Sequence, residues 1–374
     1  MIYVMDFVAK TLFSLKKMLS SGSRQSVLGL DIGSSAVKVV QLRKEKERAI
    51  LETYGEIALG PYGNVHIGQS VSLSNDKIVE ALKDLLREAN VKAKRTAVSI
   101  PLKSSFITVI NIPVLPDKNI SEMIQLEARR YIPVPISEVI IDWWIFPEEE
   151  IVEEEKEDKD GRKFMKVLLV AIHKDTISTY KKIVSELGLE LENFEIESFS
   201  MIRSSVGRDA SPVAVVDFGA SATNVAIVDL GTMRSSYSVN KGSQDLTLAL
   251  SSSLGVDFKR AEEMKREIGL SDLPEHKEIV SIMEPILEYV FTEIKSVIMD
   301  YQKKNKQSVN HVFITGGGAL LKGLIDFSVK HLAVEVTMTD PFLKTEYPAF
   351  LGGVLRKTGL SFSVAIGLAL RELQ

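Results

Sequence analysis

The sequence predicts an α/β protein with two related lobes. Three observations carry this prediction: the length of the chain, a motif that occurs twice, and a glycine cluster after an apolar strand. With 374 residues, of which 45% are hydrophobic, the chain is long enough for more than one domain. The stretch DIGSSAVKVVQL at residues 31–42 returns 186 positions later as DFGASATNVAIV at residues 217–228, with five of twelve positions identical. Strand-like alternation flanks both copies, so the repeat indicates two homologous halves.

The repeated motif places an aspartate next to a turn of small residues. In the first copy, Asp31 precedes Gly33-Ser34-Ser35, a turn that leaves backbone N–H groups pointing outward. Such a turn can cradle an anion. Alone, the motif also fits an ordinary β-hairpin whose aspartate accepts hydrogen bonds from its own turn. Two copies favour duplicated half-sites.

The glycine cluster lies in VFITGGGALLKGL, residues 312–324. An apolar strand breaks into Gly316, Gly317 and Gly318, and the pattern predicts a helix from near Ala319. A strand, a glycine turn and a helix N-terminus together form a frequent phosphate contact, although a tight connection fits equally well. No GK[ST] follows and no G-x-G-x-x-G is present, so the cluster is neither a Walker loop nor a dinucleotide fingerprint.

Composition narrows the classes of function. The formal net charge is −4, but residues 148–160 (EEEIVEEEKEDKD) hold a local −7, which we expect to be a solvated loop. The remainder is near neutral, which argues against nucleic acid as a partner. The absence of cysteine excludes disulfides, thiolate catalysis and cysteine-based zinc sites, and the five histidines lack ligand spacing.

The first 24 residues form a separate segment. Charged residues interrupt it, so it is too short and too polar to span a bilayer. Apolar residues recur at helical spacing and predict an amphipathic helix: Met5, Val8, Leu12, Leu15 and Leu19. Packing onto protein and lying on an anionic membrane surface through residues 1–20 both fit this pattern.

The ordered set of motifs resembles the actin, Hsp70 and sugar-kinase superfamily, in which two phosphate hairpins and an adenosine loop close on one nucleotide. The resemblance implies a two-lobed actin-like (ribonuclease H-like) ATPase fold that binds ATP and Mg²⁺ between the lobes. Asp31 and Asp217 would then orient the metal through its water shell. Lys38 would reach the phosphates, and Asn224 takes its place in the second copy. The implied nucleotide contacts are the backbone N–H groups of Gly33, Ser34, Ser35, Gly219, Ala220 and Ser221, and the loop Gly316, Gly317 and Gly318.

The stretch RAEEMKREIGL, residues 260–270, resembles the A-E-x-x-K helix of bacterial actin-like proteins. On that match Glu262 would bind the ribose hydroxyls and Lys265 would lie along the base. A solvent-facing charged helix with ordinary i to i+3 pairs explains the same residues.

Between the two motif copies, the pattern predicts an inserted unit of four strands and two helices at roughly residues 104–190. An insertion at this place resembles FtsA and the PilM family of cytoplasmic type IV pilus assembly proteins. The segments LGLDIGSSAVKVVQL and LEARRYIPVPISEVIIDW favour the PilM family.

This resemblance also implies a division into subdomains. The predicted boundaries are the N-terminal segment 1–24; the first lobe (1A) 25–103, completed by 191–211 and 361–374; the insert (1C) 104–190; the second lobe (2A) 212–255, completed by 310–360; and a helical subdomain (2B) 256–309.

The resemblance implies an ATP-binding scaffold that is cytoplasmic and peripheral at the inner membrane. It would bind the cytoplasmic N-terminal peptide of a PilN-type membrane protein, link the pilus platform to its motor proteins, and could form homo-oligomers. Tyr131, Ile132 and Pro133 are the candidates for the peptide groove, with core packing and helix termination as the alternative. Trp143 and Trp144 are adjacent on a strand and must face opposite ways.

Two alternatives remain open from sequence. One is a small-molecule kinase of the same superfamily, for which Glu197 is the candidate general base; a helix-capping carboxylate is the preferred interpretation of that residue. The other is a filament-forming ATPase like FtsA or MreB. Whether the protein is an enzyme stays open, with at most weak ATPase activity expected.

Overall fold

The computed structural model describes residues 26–113, 120–147, 164–207 and 211–374. The predicted N-terminal amphipathic helix and the acidic run at 148–160 lie outside the described residues.

The described strands follow one another along the whole chain. They are β1 (Ser26–Ile32), β2 (Ala36–Glu45), β3 (Arg48–Ala58), β4 (Arg95–Ile100), β5 (Ser105–Pro113), β6 (Val139–Ile145), β7 (Phe164–His173), β8 (Glu190–Ile196), β9 (Val213–Phe218), β10 (Thr223–Asp229), β11 (Thr232–Val239), β12 (His311–Thr315) and β13 (Glu335–Met338).

The described α-helices cluster between and after these strands. They are α1 (Asn75–Glu88), α2 (Ile120–Ala128), α3 (Lys174–Glu186), α4 (Glu197–Ser205), α5 (Ser243–Leu254), α6 (Phe258–Ile268), α7 (Lys277–Asn305), α8 (Leu324–Leu332), α9 (Gly352–Thr358) and α10 (Ser363–Leu373).

Two five-stranded sheets share one topology. Their strand orders are β3-β2-β1-β4-β8 and β11-β10-β9-β12-β13, each with an antiparallel meander followed by parallel strands. The registers also match, since Asp31 lies opposite Lys38 and Asp217 lies opposite Asn224. The predicted two-lobed α/β fold with duplicated halves is therefore confirmed.

Helix α10 is the main support of the first sheet. Gly29 on β1 faces it so closely that an added Cβ would lie 1.9 Å from the Ala365 carbonyl oxygen. Gly367 approaches α4 in the same way, with a Cβ position 1.9 Å from the Ser200 carbonyl oxygen. The stretch Ala349–Leu373 is long and apolar enough to cross a membrane, but 61% of its apolar window is buried in the protein, as in a core helix.

The inserted unit holds three strands in the described residues, not the predicted four. Its antiparallel sheet has the order β5-β7-β6. The expected fourth strand is β8, which pairs in parallel with β4 and so belongs to the first lobe. Burial explains why β8 joins the first-lobe sheet, because Phe194 and Ile196 pack into the first-lobe core. The predicted subdomain boundaries stay predictions.

The insert packs on both of its faces. Trp143 contacts the insert's own core around Ile112 and Ile124, whereas Trp144 contacts the first-lobe core. The expectation that the two tryptophans face opposite ways is confirmed. The insert also touches the second lobe, where the Arg234 guanidinium lies 4.5 Å from the centre of the Phe146 ring.

Candidate functional site

A cleft of about 900 Å³ lies between the two five-stranded sheets. Its size is typical of small-molecule and cofactor sites. The structure brings every residue of the predicted nucleotide, metal and catalytic sets to its walls: Asp31, Gly33, Ser34, Ser35, Lys38, Glu197, Asp217, Gly219, Ala220, Ser221, Glu262, Lys265, Gly316, Gly317 and Gly318.

The two hairpin turns have the same hydrogen bonding. The Gly33 N–H donates to the Ala36 carbonyl at 3.1 Å, and the Gly219 N–H donates to the Ala222 carbonyl at 3.0 Å. These two N–H groups close their own turns, which corrects the expectation that both glycines donate to a phosphate. The next residues, 34–35 and 220–221, line the cleft, and their N–H groups have no backbone acceptor within the described part of the chain.

The turns meet at their tips. The Ser221 hydroxyl donates to the Ser34 hydroxyl at 2.9 Å, so the turns of the two lobes are in direct hydrogen-bond contact. Carbonyl oxygens of the second turn are held from behind by helix α5, whose Ser243 and Gln244 N–H groups donate to Gly219 and Ala220. The turns are thus positioned before any ligand enters.

Asp31 is a buried carboxylate at the end of β1. The Ser99 hydroxyl donates to its Oδ1 at 2.8 Å. Burial raises the pKa of Asp31 above its ordinary value, and the Lys38 charge and the Ser99 hydrogen bond offset part of that shift. The Lys38 ammonium itself lies 4.0 Å from the Glu56 carboxylate on β3.

Asp217 takes the equivalent position at the end of β9. Burial and the nearby Asp31 charge raise the pKa of Asp217 to about 6. The glycine loop packs directly on this carboxylate, because a Cβ added to Gly316 would lie 2.2 Å from the Asp217 Oδ1. The backbone of Gly316 also has a φ of +90°, a conformation that favours glycine.

Glu197 adds a third carboxylate to the cleft. The Leu102 N–H donates to it at 2.7 Å and the Asn224 amide at 2.9 Å. The preferred helix-cap interpretation is therefore wrong, since Glu197 opens α4 but its carboxylate takes its hydrogen bonds from β4's end and from β10 rather than from the helix. Burial and the Asp217 charge raise the pKa of Glu197 to about 8.

Besides burial, the Asp31 charge raises the pKa of Asp217, and the charges of Asp217 and Asp31 raise the pKa of Glu197. The described residues contain no group of three or more acidic, histidine or cysteine side chains placed to ligate a metal ion directly, so an ion here would be held through its water molecules. Oxygen ligands are the ones that Mg²⁺ prefers, and a positive ion would remove the mutual repulsion that the protons now relieve. Asp31 and Asp217, one from each lobe, would hold such an ion, with Glu197 in the same cleft.

Glu262 and Lys265 lie inside the cleft wall, not on a solvent-facing helix. Their ion pair is 2.7 Å long, and both residues are nearly buried. The Thr247 hydroxyl donates to Glu262 at 2.6 Å, and Arg266 pairs with the other Glu262 oxygen at 2.6 Å. Burial raises the pKa of Glu262, but Lys265 and the hydrogen bonds outweigh it and leave the pKa lowered; burial also lowers the pKa of Lys265.

The glycine loop does not start an α-helix. Gly317–Leu320 form a single 3₁₀ turn, and α8 begins only at Leu324. The predicted helix from near Ala319 is therefore wrong. Gly323 separates the two with a φ of +79°, which ends one turn and starts the helix.

Several site residues escaped the sequence motifs. Ser99 lies on β4 and Leu102 follows it, and both contact the cleft carboxylates through bonds between residues far apart in sequence. Asn224 was recognised only as the counterpart of Lys38, but its amide orients Glu197. No local pattern marks such contacts.

The three candidates for a peptide groove lie in the insert, away from the cleft lining. Tyr131 is 43% exposed and Pro133 is exposed, whereas Ile132 is buried in the insert core. The core-packing alternative therefore describes Ile132.

The duplicated sheets and the cleft between them define the class of two-lobed actin-like proteins. The family model described as "Type IV pilus assembly protein PilM" matches residues 29–373. The chain therefore belongs to the PilM family of type IV pilus assembly proteins.

Relatives agree with this assignment. The chain is 22% identical to the cell division protein FtsA of Bacillus subtilis, over 87% of this chain and 81% of that protein. FtsA of Helicobacter pylori is 26% identical over 54% of this chain and 46% of that protein.

Among solved structures, the PilM-PilN type IV pilus biogenesis complex superposes with a TM-score of 0.78, at 23% identity, over 94% of this chain and 100% of that one. MreB5 of Spiroplasma citri bound to ADP superposes with a TM-score of 0.53, at 12% identity, over 93% and 96% of the two chains. Both similarities concern the fold.

The raised carboxylate pKa values predict that stability falls as pH rises. Between about pH 4.5 and pH 8, the folded protein binds a proton at Glu197 that the unfolded chain has lost, and Asp217 adds to this up to about pH 6. The free energy of unfolding should fall by about 1.4 kcal/mol per pH unit for each such group.

Glu197→Gln should flatten this slope between pH 6 and pH 8, because the amide carries no proton to lose. Urea unfolding with a chelator present, repeated along this pH range, measures it. Glu47→Gln, at a highly exposed carboxylate, is the control and should keep the wild-type slope. A Glu197→Gln slope equal to that of the wild type would contradict the account.

Proposed function

We propose that the protein is an ATP-binding, actin-like scaffold of the type IV pilus inner-membrane assembly platform. The observation that carries the proposal is that two equivalent turns, one from each lobe, bring an aspartate and N–H groups without a backbone acceptor in the described residues to the same cleft as a glycine loop. Membership of the PilM family supports the assembly role.

The cleft residues suit a magnesium nucleotide. The N–H groups of 34–35 and 220–221 would bind phosphate oxygens, and Lys38 would add a positive charge. Asp31 and Asp217 would hold Mg²⁺ through its water molecules, and the ion would neutralise phosphate charge. Glu262 would accept from the ribose hydroxyls, with Lys265 beside the base. The binding of ADP by MreB5, which has a similar fold, supports a nucleotide as the ligand.

The position of Glu197 favours phosphoryl transfer as a second candidate function. A general base for water or a hydroxyl must reach the cleft, and Glu197 does. With a pKa of about 8 it is largely protonated at neutral pH and must first lose that proton. We therefore infer at most weak ATPase activity. A role as a small-molecule kinase would need the same base.

The proposed partner is the cytoplasmic N-terminal peptide of a PilN-type membrane protein, which would keep this protein at the cytoplasmic face of the inner membrane and connect it to the other platform and motor proteins. The similarity to the PilM-PilN complex supports this partner. The insert offers exposed apolar side chains for such a peptide at Ile120 and Leu126 on α2 and at Tyr131 after it. The N-terminal segment offers a further, peripheral membrane contact.

Asp31→Asn should weaken Mg²⁺·ATP binding about 10- to 100-fold, the range for residues that act on a metal through its ligands. Isothermal titration with and without Mg²⁺ measures the loss, which should be smaller when the ion is left out. Asp326→Asn, at an exposed site on α8 outside the cleft, should bind as the wild type does. Equal affinity of Asp31→Asn and wild type would remove the first hairpin from the site.

Tyr131→Ala should lower the affinity for a PilN-type N-terminal peptide by about tenfold or more, since an exposed tyrosine at an interface is a frequent anchor. Fluorescence anisotropy of the labelled peptide measures it. Tyr289→Ala is the matched control, because Tyr289 is 50% exposed but lies on α7 of the second lobe. If both variants bind equally well, the groove is not at Tyr131.

A further inference from the structure

Residues 59–73, called here the cleft strap, join β3 to α1 of the first lobe and contact the second lobe on the way. The strap begins with a 3₁₀ turn at Gly60–Gly63 and is anchored on α1, where the Tyr62 hydroxyl donates to Asp84 at 2.8 Å. Neither the sequence motifs nor the family resemblance assigned it a role. Several of its residues nevertheless line the cleft.

Both ends of the strap hold the first phosphate turn. The Leu59 N–H donates to the Ser35 carbonyl at 2.9 Å, and the Val71 N–H donates to the Ser34 carbonyl at 3.0 Å. Ser34 and Ser35 also line the cleft, and their own N–H groups have no backbone acceptor among the described residues. The position of the strap is therefore tied to the position of the turn.

The middle of the strap reaches the second lobe at three places. The Ser70 N–H donates to the Gln244 side chain at 2.8 Å, and the Gln244 N–H in turn holds the Ala220 carbonyl of the second turn. The His66 ring lies parallel to the Phe258 ring, with centroids 6.2 Å apart.

The third place is beside the paired carboxylate of α6. Gly68 has a φ of +89°, and a Cβ there would lie 3.5 Å from the Glu262 carboxylate. Its neighbour Ile67 lines the cleft and is 63% exposed. Ile67 therefore presents an apolar surface to the cleft wall, beside the paired charges of α6, and mostly apolar walls with a few polar groups are typical of ligand sites.

We propose that the strap is a binding element of the nucleotide site, in which Ile67 covers the base and the contacts to Gln244 and Phe258 hold the nucleotide in place. This inference rests on the proposed ATP site. The base is the apolar part of a nucleotide, and Ile67 is an exposed apolar cleft residue next to Gly68, which approaches the predicted ribose contact Glu262. Because the strap bridges both turns, bound nucleotide leaves only after these contacts open.

Ile67→Ala tests the contact with the base. We expect ATP affinity to fall about 3- to 10-fold, the loss for part of one isoleucine side chain, while the affinity for inorganic triphosphate with Mg²⁺ stays within twofold. Leu343→Ala, which truncates a 78% exposed side chain outside the cleft, is the control. Unchanged ATP affinity, or an equal loss for ATP and triphosphate, overturns the contact.

A thiol cross-link tests whether the strap bridges the two lobes. Because the chain contains no cysteine, the reagent can react only with the cysteines that are introduced. In the pair His66→Cys and Phe258→Cys, a short bifunctional thiol reagent should react across the strap in nucleotide-free protein. The cross-linked protein should release a fluorescent ADP at least tenfold more slowly than the same protein before cross-linking. As the control, the same double variant treated with a monofunctional thiol reagent should release ADP no more slowly than before treatment.

Gln244→Ala gives a second measurement that does not remove a buried ring. Loss of its bond to the strap should speed the release of the same fluorescent ADP several-fold. Release rates that are unchanged in both the cross-linked pair and Gln244→Ala overturn the bridge. If wild-type protein binds no nucleotide at all, the proposed function fails instead, so the two failures are distinguishable.

Discussion

The structure depends on the junction where two hairpin turns bring buried carboxylates of both lobes to one point. Asp31 and Asp217 lie near the ends of equivalent strands, and Glu197 lines the same cleft, so three buried acidic groups share one site. Burial raises the pKa of all three, and the neighbouring carboxylate charges add to the shift at Asp217 and Glu197. Protons relieve the repulsion between these charges, and so would a divalent cation.

Other residues of the cleft hold the two turns and Asp217 in position. Gly316 allows the glycine loop to contact Asp217, and the N-terminus of α5 holds the second turn by its carbonyls. The strap holds the first turn in the same way. Glu262 and Lys265 form a buried ion pair, so neither charge is left uncompensated. A ribose bound to Glu262 would therefore have to replace hydrogen bonds that the protein already makes. The insert packs on the first lobe and touches the second.

The sequence was most informative where a motif of the site is repeated. It was least informative where the contacting residues are far apart along the chain. The motif repeat located both turns and their aspartates because small residues at fixed spacing define such a turn locally. Strand β8 was assigned to the insert because nothing in its own alternation says which sheet it joins; the burial of Phe194 decides that. Glu197 was interpreted as a helix cap because its true partners, Leu102 and Asn224, are far away along the chain. The strap has no periodic pattern, so only the folded chain shows its contacts.

The central claim is that the two aspartates act on one ion and one nucleotide. A double-mutant cycle of Asp31→Asn and Asp217→Asn, measured as Mg²⁺·ATP affinity, tests it most directly. If both residues hold the same ion, the affinity of the double variant should be only slightly lower than that of whichever single variant binds Mg²⁺·ATP less tightly. If the two losses in binding free energy simply add, the aspartates act separately, and the proposal that they hold one ion is contradicted.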